Sequence, residues 1–234
     1  MQISNRSKRI KLAALFITII FPVTLMIYTI VDNRNYGVIS VIFIVLAMIP
    51  FLMMYEMKKP KAREWIPLAI MAAIACIGRV AFAPIPSFKP TSAIIIITAM
   101  VFGPEAGFVT GAVAAISSNL FFGQGPWTPW QMFCWGAIGF IAGILSKHNF
   151  LNEKWKLCTF GMLCGFFFGW IMNIWAATGF INEFSWKAFG SLYISSFWFD
   201  FTHGLCTVIF LYLLSDSWGS KLQRVKVKYG LMER

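Results

Sequence analysis

The feature that most constrains this chain is the alternation of long apolar stretches with short charged connections. Eight apolar segments can be marked in its 234 residues, at 12–31, 38–55, 65–83, 91–102, 105–122, 131–146, 157–180 and 192–214. A helix needs roughly 20 apolar residues to cross a hydrocarbon core about 30 Å thick, and most of these segments come close to that length. Only 12% of the residues are charged and 59% are hydrophobic, whereas a soluble domain is about a quarter charged. The formal net charge is +11, but the basic residues stand between the apolar stretches and build no basic face on a soluble domain. That excludes a nucleic-acid partner. The expectation is an all-α, multi-pass protein of a lipid bilayer.

The region 91–122 needs separate treatment. As a single helix it would be about 48 Å long at 1.5 Å per residue, too long for the hydrocarbon core. Gly103-Pro104 lies inside it, and proline removes a backbone donor and clashes with the preceding turn. The reading is a short segment, 91–102, shielded by its neighbours or extended by loop residues, followed by 105–122.

Charge supports the split. With eight segments both termini fall on one side, together with Arg6, Lys8, Arg9 and Lys11, the group Lys58, Lys59, Lys61 and Arg63, the group Lys147, Lys154 and Lys156, and the tail from Lys221 to Arg234. The opposite side keeps only Arg34, Lys89 and Lys187, with Arg79 near a helix end. The positive-inside rule makes the rich side cytoplasmic. The expected location is therefore the bacterial cell membrane, with both termini cytoplasmic. Residues 12–31 are too long for a signal-peptide core and lack a small-residue cleavage site, so they read as a retained span. Residues 1–63 form a two-helix extension in this scheme, and 64–234 form a six-helix solute-binding core with a basic tail.

The outer loops carry the candidate chemistry. Residues 84–90 hold Pro84, Pro86 and Pro90, which fix the backbone beside Lys89. Residues 119–131 combine Gly123, Gly125, Pro126 and Pro129 with Trp127 and Trp130 and with the amides Asn119, Gln124 and Gln131. Trp135 follows one helical turn later. Flat aromatic faces and neutral hydrogen-bonding groups in a fixed frame suit an organic ligand with apolar and polar parts. The alternative for the tryptophans is an interfacial belt, but they crowd one side. Within the spans, Asn119, Asn173 and Asp200 are polar groups at membrane depth, where such residues face a bundle interior or a cavity. Asp200 and His203 share a helix face and are placed to pair. The small-residue series Gly103, Gly107, Gly111 and Ala115, then Gly139 and Gly143, then Gly161, Gly165 and Gly169 predict close helix packing.

Other classes find less support. Cys76, Cys134, Cys158, Cys164 and Cys206 form no C-x-x-C pair and have no histidine at metal spacing, so they read as small buried hydrophobes and no metal or cofactor is expected. No P-loop, H-E-x-x-H or G-x-S-x-G is present, and Glu105, His148, Asp200 and His203 make no recognisable catalytic constellation. No repeat relates two halves, as in many secondary carriers. An ion-coupled carrier or a channel stays open as an alternative, with Asp200 and His203 as its candidate coupling groups. Capture without an evident energy source points to partner subunits.

Residues 64–215 resemble the substrate-binding S component of energy-coupling factor (ECF) transporters. The resemblance rests on Ala69-x-x-x-Ala73, on Phe88-Lys89-Pro90, on Phe102-Gly103-x-Glu105-x-Gly107-Phe108, and on Ser118-Asn119 leading into Gly123-Gln124-Gly125-Pro126-Trp127-Thr128-Pro129-Trp130-Gln131-Met132. The last stretch is the most specific and is similar to a subgroup linked to cobalamin or its precursors. The resemblance implies a vitamin-type solute bound in the outer half of a six-helix bundle, with a membrane T subunit and two ATPase subunits as partners. Ala69 and Ala73 would then meet the T subunit. Lys89, Asn119, Gln124, Trp127, Trp130, Gln131, Trp135, Asn173 and Asp200 would contact the solute. The extra pair 12–31 and 38–55 departs from a minimal S component.

Overall fold

The computed structural model describes residues 36–180 and 185–232, so the expected segment 12–31 lies outside the described residues. The described chain is helical throughout, with α1 (Tyr36–Glu56), α2 (Ala62–Ala81), α3 (Thr91–Phe102), α4 (Pro104–Phe122), α5 (Trp127–Lys147), α6 (Lys154–Phe180) and α7 (Trp186–Lys228). Among the described residues, α2, α4, α5, α6 and α7 are each long and apolar enough to cross a membrane.

Gly103-Pro104 divides the chain where the sequence placed the break. Gly103 has φ +93°, a conformation glycine adopts at little cost. Pro104 opens α4 at a position whose N–H would lack an intrahelical partner in any case. At 12 residues α3 spans only about 18 Å. Its backbone can sit at membrane depth because protein surrounds it: Ala93 to Ile97, Ala99, Val101 and Phe102 are all buried. Ala93 to Ile97 and Ala99 pack with Met71, Ala72 and Ala75 of α2, Ala114 and Ala115 of α4, Ile138 and Ala142 of α5, Cys164 of α6 and Leu211 of α7, while Val101 and Phe102 pack with Leu68, Ala106 and Val109. The shortest helix is therefore the axis of the bundle.

Two seams tie the other helices into pairs. Gly107 and Gly139 put the backbones of α4 and α5 in contact, and a Cβ added to Gly107 would lie 2.6 Å from the Gly139 carbonyl oxygen. Gly165 packs in the same way against Gly204, bringing α6 onto α7. The glycine series thus does what its four-residue spacing predicts. Helix α1 buries Ile44, Ala47, Met48, Phe51 and Met54, a stripe at helical spacing. Phe51 stacks on Phe108 of α4 at 4.4 Å and meets Phe140 of α5 edge-on at 4.9 Å.

Three element boundaries differ from the sequence expectation by four residues or more. Helix α5 begins at Trp127, not near residue 131, so Trp127, Thr128, Trp130 and Gln131 sit on its first turns and not in a loop. Pro129 is tolerated because the first four N–H groups of a helix have no partner to lose. Helix α7 opens at Trp186, not at 192, and runs for 43 residues, well past 214. Its basic last third is held by the bundle: Trp218 and Leu222 pack on the core and Lys226 Nζ donates to the Val101 carbonyl at 2.6 Å; just beyond the helix, Met232 N donates to Glu64 Oε1 at 3.0 Å. Hydropathy marks where the apolar stretch stops, but the helix continues wherever one face still finds cover.

Candidate solute site

At the end of the bundle formed by the C-terminus of α2, the 82–90 connection and the start of α5, one buried guanidinium organises the polar groups. Arg79 is 9% exposed. Its Nη1 donates to Ser118 Oγ at 2.6 Å and Asn119 Oδ1 at 2.7 Å, both on α4. Its Nη2 reaches Gln131 Oε1 of α5 at 3.5 Å. The guanidinium lies over the rings of Phe122 and Trp135, 4.7 and 4.9 Å from their centroids, a cation–π arrangement that fixes its plane.

Asn119 is the hub of this network. Its amide donates to Thr128 Oγ1 and to Gln131 Oε1, each at 2.9 Å. Thr128 donates to Gln124 Oε1 at 2.9 Å and accepts the Gly125 N–H at 3.2 Å, while Gln124 Nε2 caps the Ile116 carbonyl at 2.8 Å. The polar residues of 119–131 thus hold the α4–α5 turn in shape. Gln131 is half-buried and Gln124 is exposed.

A second cluster lies deeper. Trp135 Nε1 donates to Ser92 Oγ of α3 at 3.1 Å, and Ser92 Oγ lies 2.8 Å from His203 Nε2 of α7. Phe168 of α6 covers both rings, 4.6 Å from Trp135 and 5.0 Å from His203. A third cluster joins α6 to α7: Asn173 Nδ2 donates to Ser196 Oγ at 2.7 Å, and Ser196 Oγ donates to Asp200 Oδ2 at 3.1 Å. Gly169 leaves the room that the Asp200 carboxylate occupies. Asp200 and His203 share a helix face but find separate partners, so the expected pairing between them is not made.

The remaining candidates are distributed as follows. Lys89 is half-buried, and its Nζ donates to the Ile85 carbonyl at 3.2 Å. Burial, and then the nearby Arg79 charge, hold its ammonium below the usual lysine range. Trp127 meets Trp175 of α6 edge-on at 5.8 Å. Trp130 is fully buried beneath α1 with Phe51 and Phe133. Ala69 and Ala73 are exposed, in line with Ile66, Ile70 and Ile77 on one face of α2. Among the described residues no group of histidine, cysteine, aspartate or glutamate side chains could hold a metal ion.

Sequence reading counted Arg79 only for topology, and it passed over Ser92 and Thr128. A basic residue outside the basic clusters, two residues from the end of an apolar helix, was the available signal. The acceptors that give it meaning lie about 40 and 50 residues away, and no local pattern announces them.

Comparison with known proteins places this arrangement. The family model of the ECF-type riboflavin transporter S component matches residues 59–216, and the chain belongs to that family. It is also 31% identical over 88 residues to a UPF0397 protein of Vibrio atlanticus (strain LGP32), covering 36% of this chain and 48% of that protein. A UPF0397 protein of Aliivibrio salmonicida (strain LFI1238) is 32% identical over 96 residues, covering 38% and 52%. The chain therefore spans about half the length of the curated relatives it matches. No solved structure matches it. The family is one of membrane transport subunits and not an enzyme class.

Proposed function

We propose that this chain is the substrate-capture subunit of an ECF-type vitamin importer. It takes its solute at the extracytoplasmic end of the bundle and passes it on through a T subunit and two ATPase subunits. The observation that carries this reading is the network of buried Arg79, Ser118, Asn119 and Thr128 with half-buried Gln131, built by α2, α4 and α5 at the end of the bundle poorest in basic residues. Such a network fixes polar groups in position before a ligand arrives, which lowers the ordering cost of binding. In this scheme Lys89, Gln131, Trp127 and Trp135 frame the solute from above, and Asn173 and Asp200 approach it from α6 and α7. The exposed stripe Ile66, Ala69, Ile70, Ala73 and Ile77 has two small residues among apolar ones. That suits close approach by a helix of the T subunit.

The six-helix core is taken as 64–234 and the preceding 1–63 as an added hairpin, giving eight membrane segments with both termini cytoplasmic. Within the vitamin class, the stretch 123–132 favours cobalamin or a precursor. The test is ligand identification by mass spectrometry on protein purified into nanodiscs, followed by binding of cobalamin, cobinamide and riboflavin. A bound vitamin or precursor is the expected result. Should the protein bind none of them while vesicles containing it alone take up solute along an ion gradient, a secondary carrier replaces this reading. Asp200, a buried carboxylate without a cation partner among the described residues, would then be the coupling group.

A further inference from the structure

We infer that Arg79 is the seat of an anionic group on the captured solute, with Lys89 as a second, more distant cation, so the solute carries a carboxylate or a phosphate. This rests on the capture reading above and narrows it.

The inference starts from an imbalance of charge. Arg79 is buried, and among the described residues every acceptor it has is neutral: a hydroxyl and two amide oxygens. Its Nε–H and one Nη2–H have no partner among the described residues. Of the described carboxylates, Glu56 is exposed at the end of α1, and the others are engaged elsewhere. Glu105 pairs with Lys58, Glu153 with Lys156 and Asp216 with Lys154, Glu64 accepts the N–H groups of Lys61 and Met232, and Asp200 accepts from Ser196. A guanidinium stays ionised under all ordinary conditions. Burying it without a counter-charge is costly, and neutral dipoles offset only part of that cost.

The geometry supplies what an anion would need. Phe122 and Trp135 hold the guanidinium plane, and the unused N–H groups form part of the fork that matches carboxylate and phosphate oxygens. Lys89 feels the Arg79 charge, so the two cations share one neighbourhood. An anion there would relieve both at once.

The experiment has two arms. In the first, native mass spectrometry identifies the molecule released from the purified full chain. In the second, the protein is offered pairs that differ in one anionic group: cobinamide against cobinamide phosphate, riboflavin against riboflavin 5′-phosphate, and pantothenol against pantothenate. The expected result is a released solute bearing a carboxylate or phosphate, and about tenfold or more preference for the anionic member of a pair that binds. Arg79→Gln should abolish that preference, while the empty variant unfolds at a temperature no lower than the parent. Arg79→Lys keeps the charge without the fork and should keep part of the preference, which covers the case where the glutamine variant fails to fold. A neutral released solute, or a preference that survives Arg79→Gln, overturns the inference and leaves the capture reading standing. A phospholipid as the released anion also overturns it. If no solute binds at all, the capture reading falls and takes the inference with it.

Discussion

Helix α4 meets a cation at each end, and the two meetings are unlike. At its start the buried Glu105 receives Lys58 at 2.7 Å. At its finish Ser118 and Asn119 receive Arg79. The first cation is about half exposed and paired with a carboxylate, while the second is buried and has only neutral partners among the described residues. An ion pair near the interface stabilises the resting fold and asks nothing of a ligand. A buried charge held by dipoles alone leaves the fold under an electrostatic load that a ligand can remove. Proteins tolerate this kind of load where binding requires it, at the expense of stability.

This contrast can be broken by mutation. The largest effect is expected from Asn119→Ala, which strips Arg79 of one acceptor and leaves Thr128 and Gln131 short of a donor. A loss of about 2–3 kcal/mol of unfolding free energy is expected, together with loss of solute binding. A change below about 0.5 kcal/mol, the range of ordinary surface substitutions, would show that Asn119 is not the hub. Next comes Lys58→Met, which leaves Glu105 buried and unpaired. Because Lys58 is half exposed, the cost is discounted to about 1–2 kcal/mol from the range for buried pairs. Solute affinity should not move. If affinity fell as far as stability, the two ends would be coupled and the contrast between them would be wrong. The smallest effect is expected from Lys89→Met, where a half-exposed cation contributes about 1 kcal/mol. Affinity for an anionic solute should fall about fivefold, with no change in the unfolding midpoint. An unchanged affinity would remove Lys89 from the site.

What could be read from the residues divides along physical lines. The break at Gly103-Pro104 and the extent of α3 were legible because proline and glycine act on the local backbone. The close helix pairs were legible because small residues repeat every four positions on one face. The start of α5 was not legible: prolines look like loop residues until it is noticed that Pro126 and Pro129 stand where a helix has N–H groups to spare. The far end of α7 was missed because it is polar, and its anchoring by Val101 and Glu64 depends on residues more than 100 positions away. At the site, Asn119, Gln131 and Trp135 could be nominated from side-chain chemistry alone. Their organiser, Arg79, becomes visible only when α2, α4 and α5 are brought together. The proximity of Asp200 and His203 in sequence was misleading as to partners, since a helix face sets which neighbours are in reach and the facing helices decide which are taken.

The unbroken run of α7 has a mechanical consequence. Asp200 and Lys226 belong to one helix, about 39 Å apart along its axis. One touches Ser196 and the α6 backbone near the proposed capture end, and the other clasps the carbonyl at the foot of α3. A continuous helix behaves as a push-rod. In the capture scheme proposed above, a turn or slide of α7 at Asp200 would reach the Lys226–Val101 clasp and the neighbouring start of α2. Occupancy at one face of the membrane would thus be announced at the other by displacement of a single rigid part.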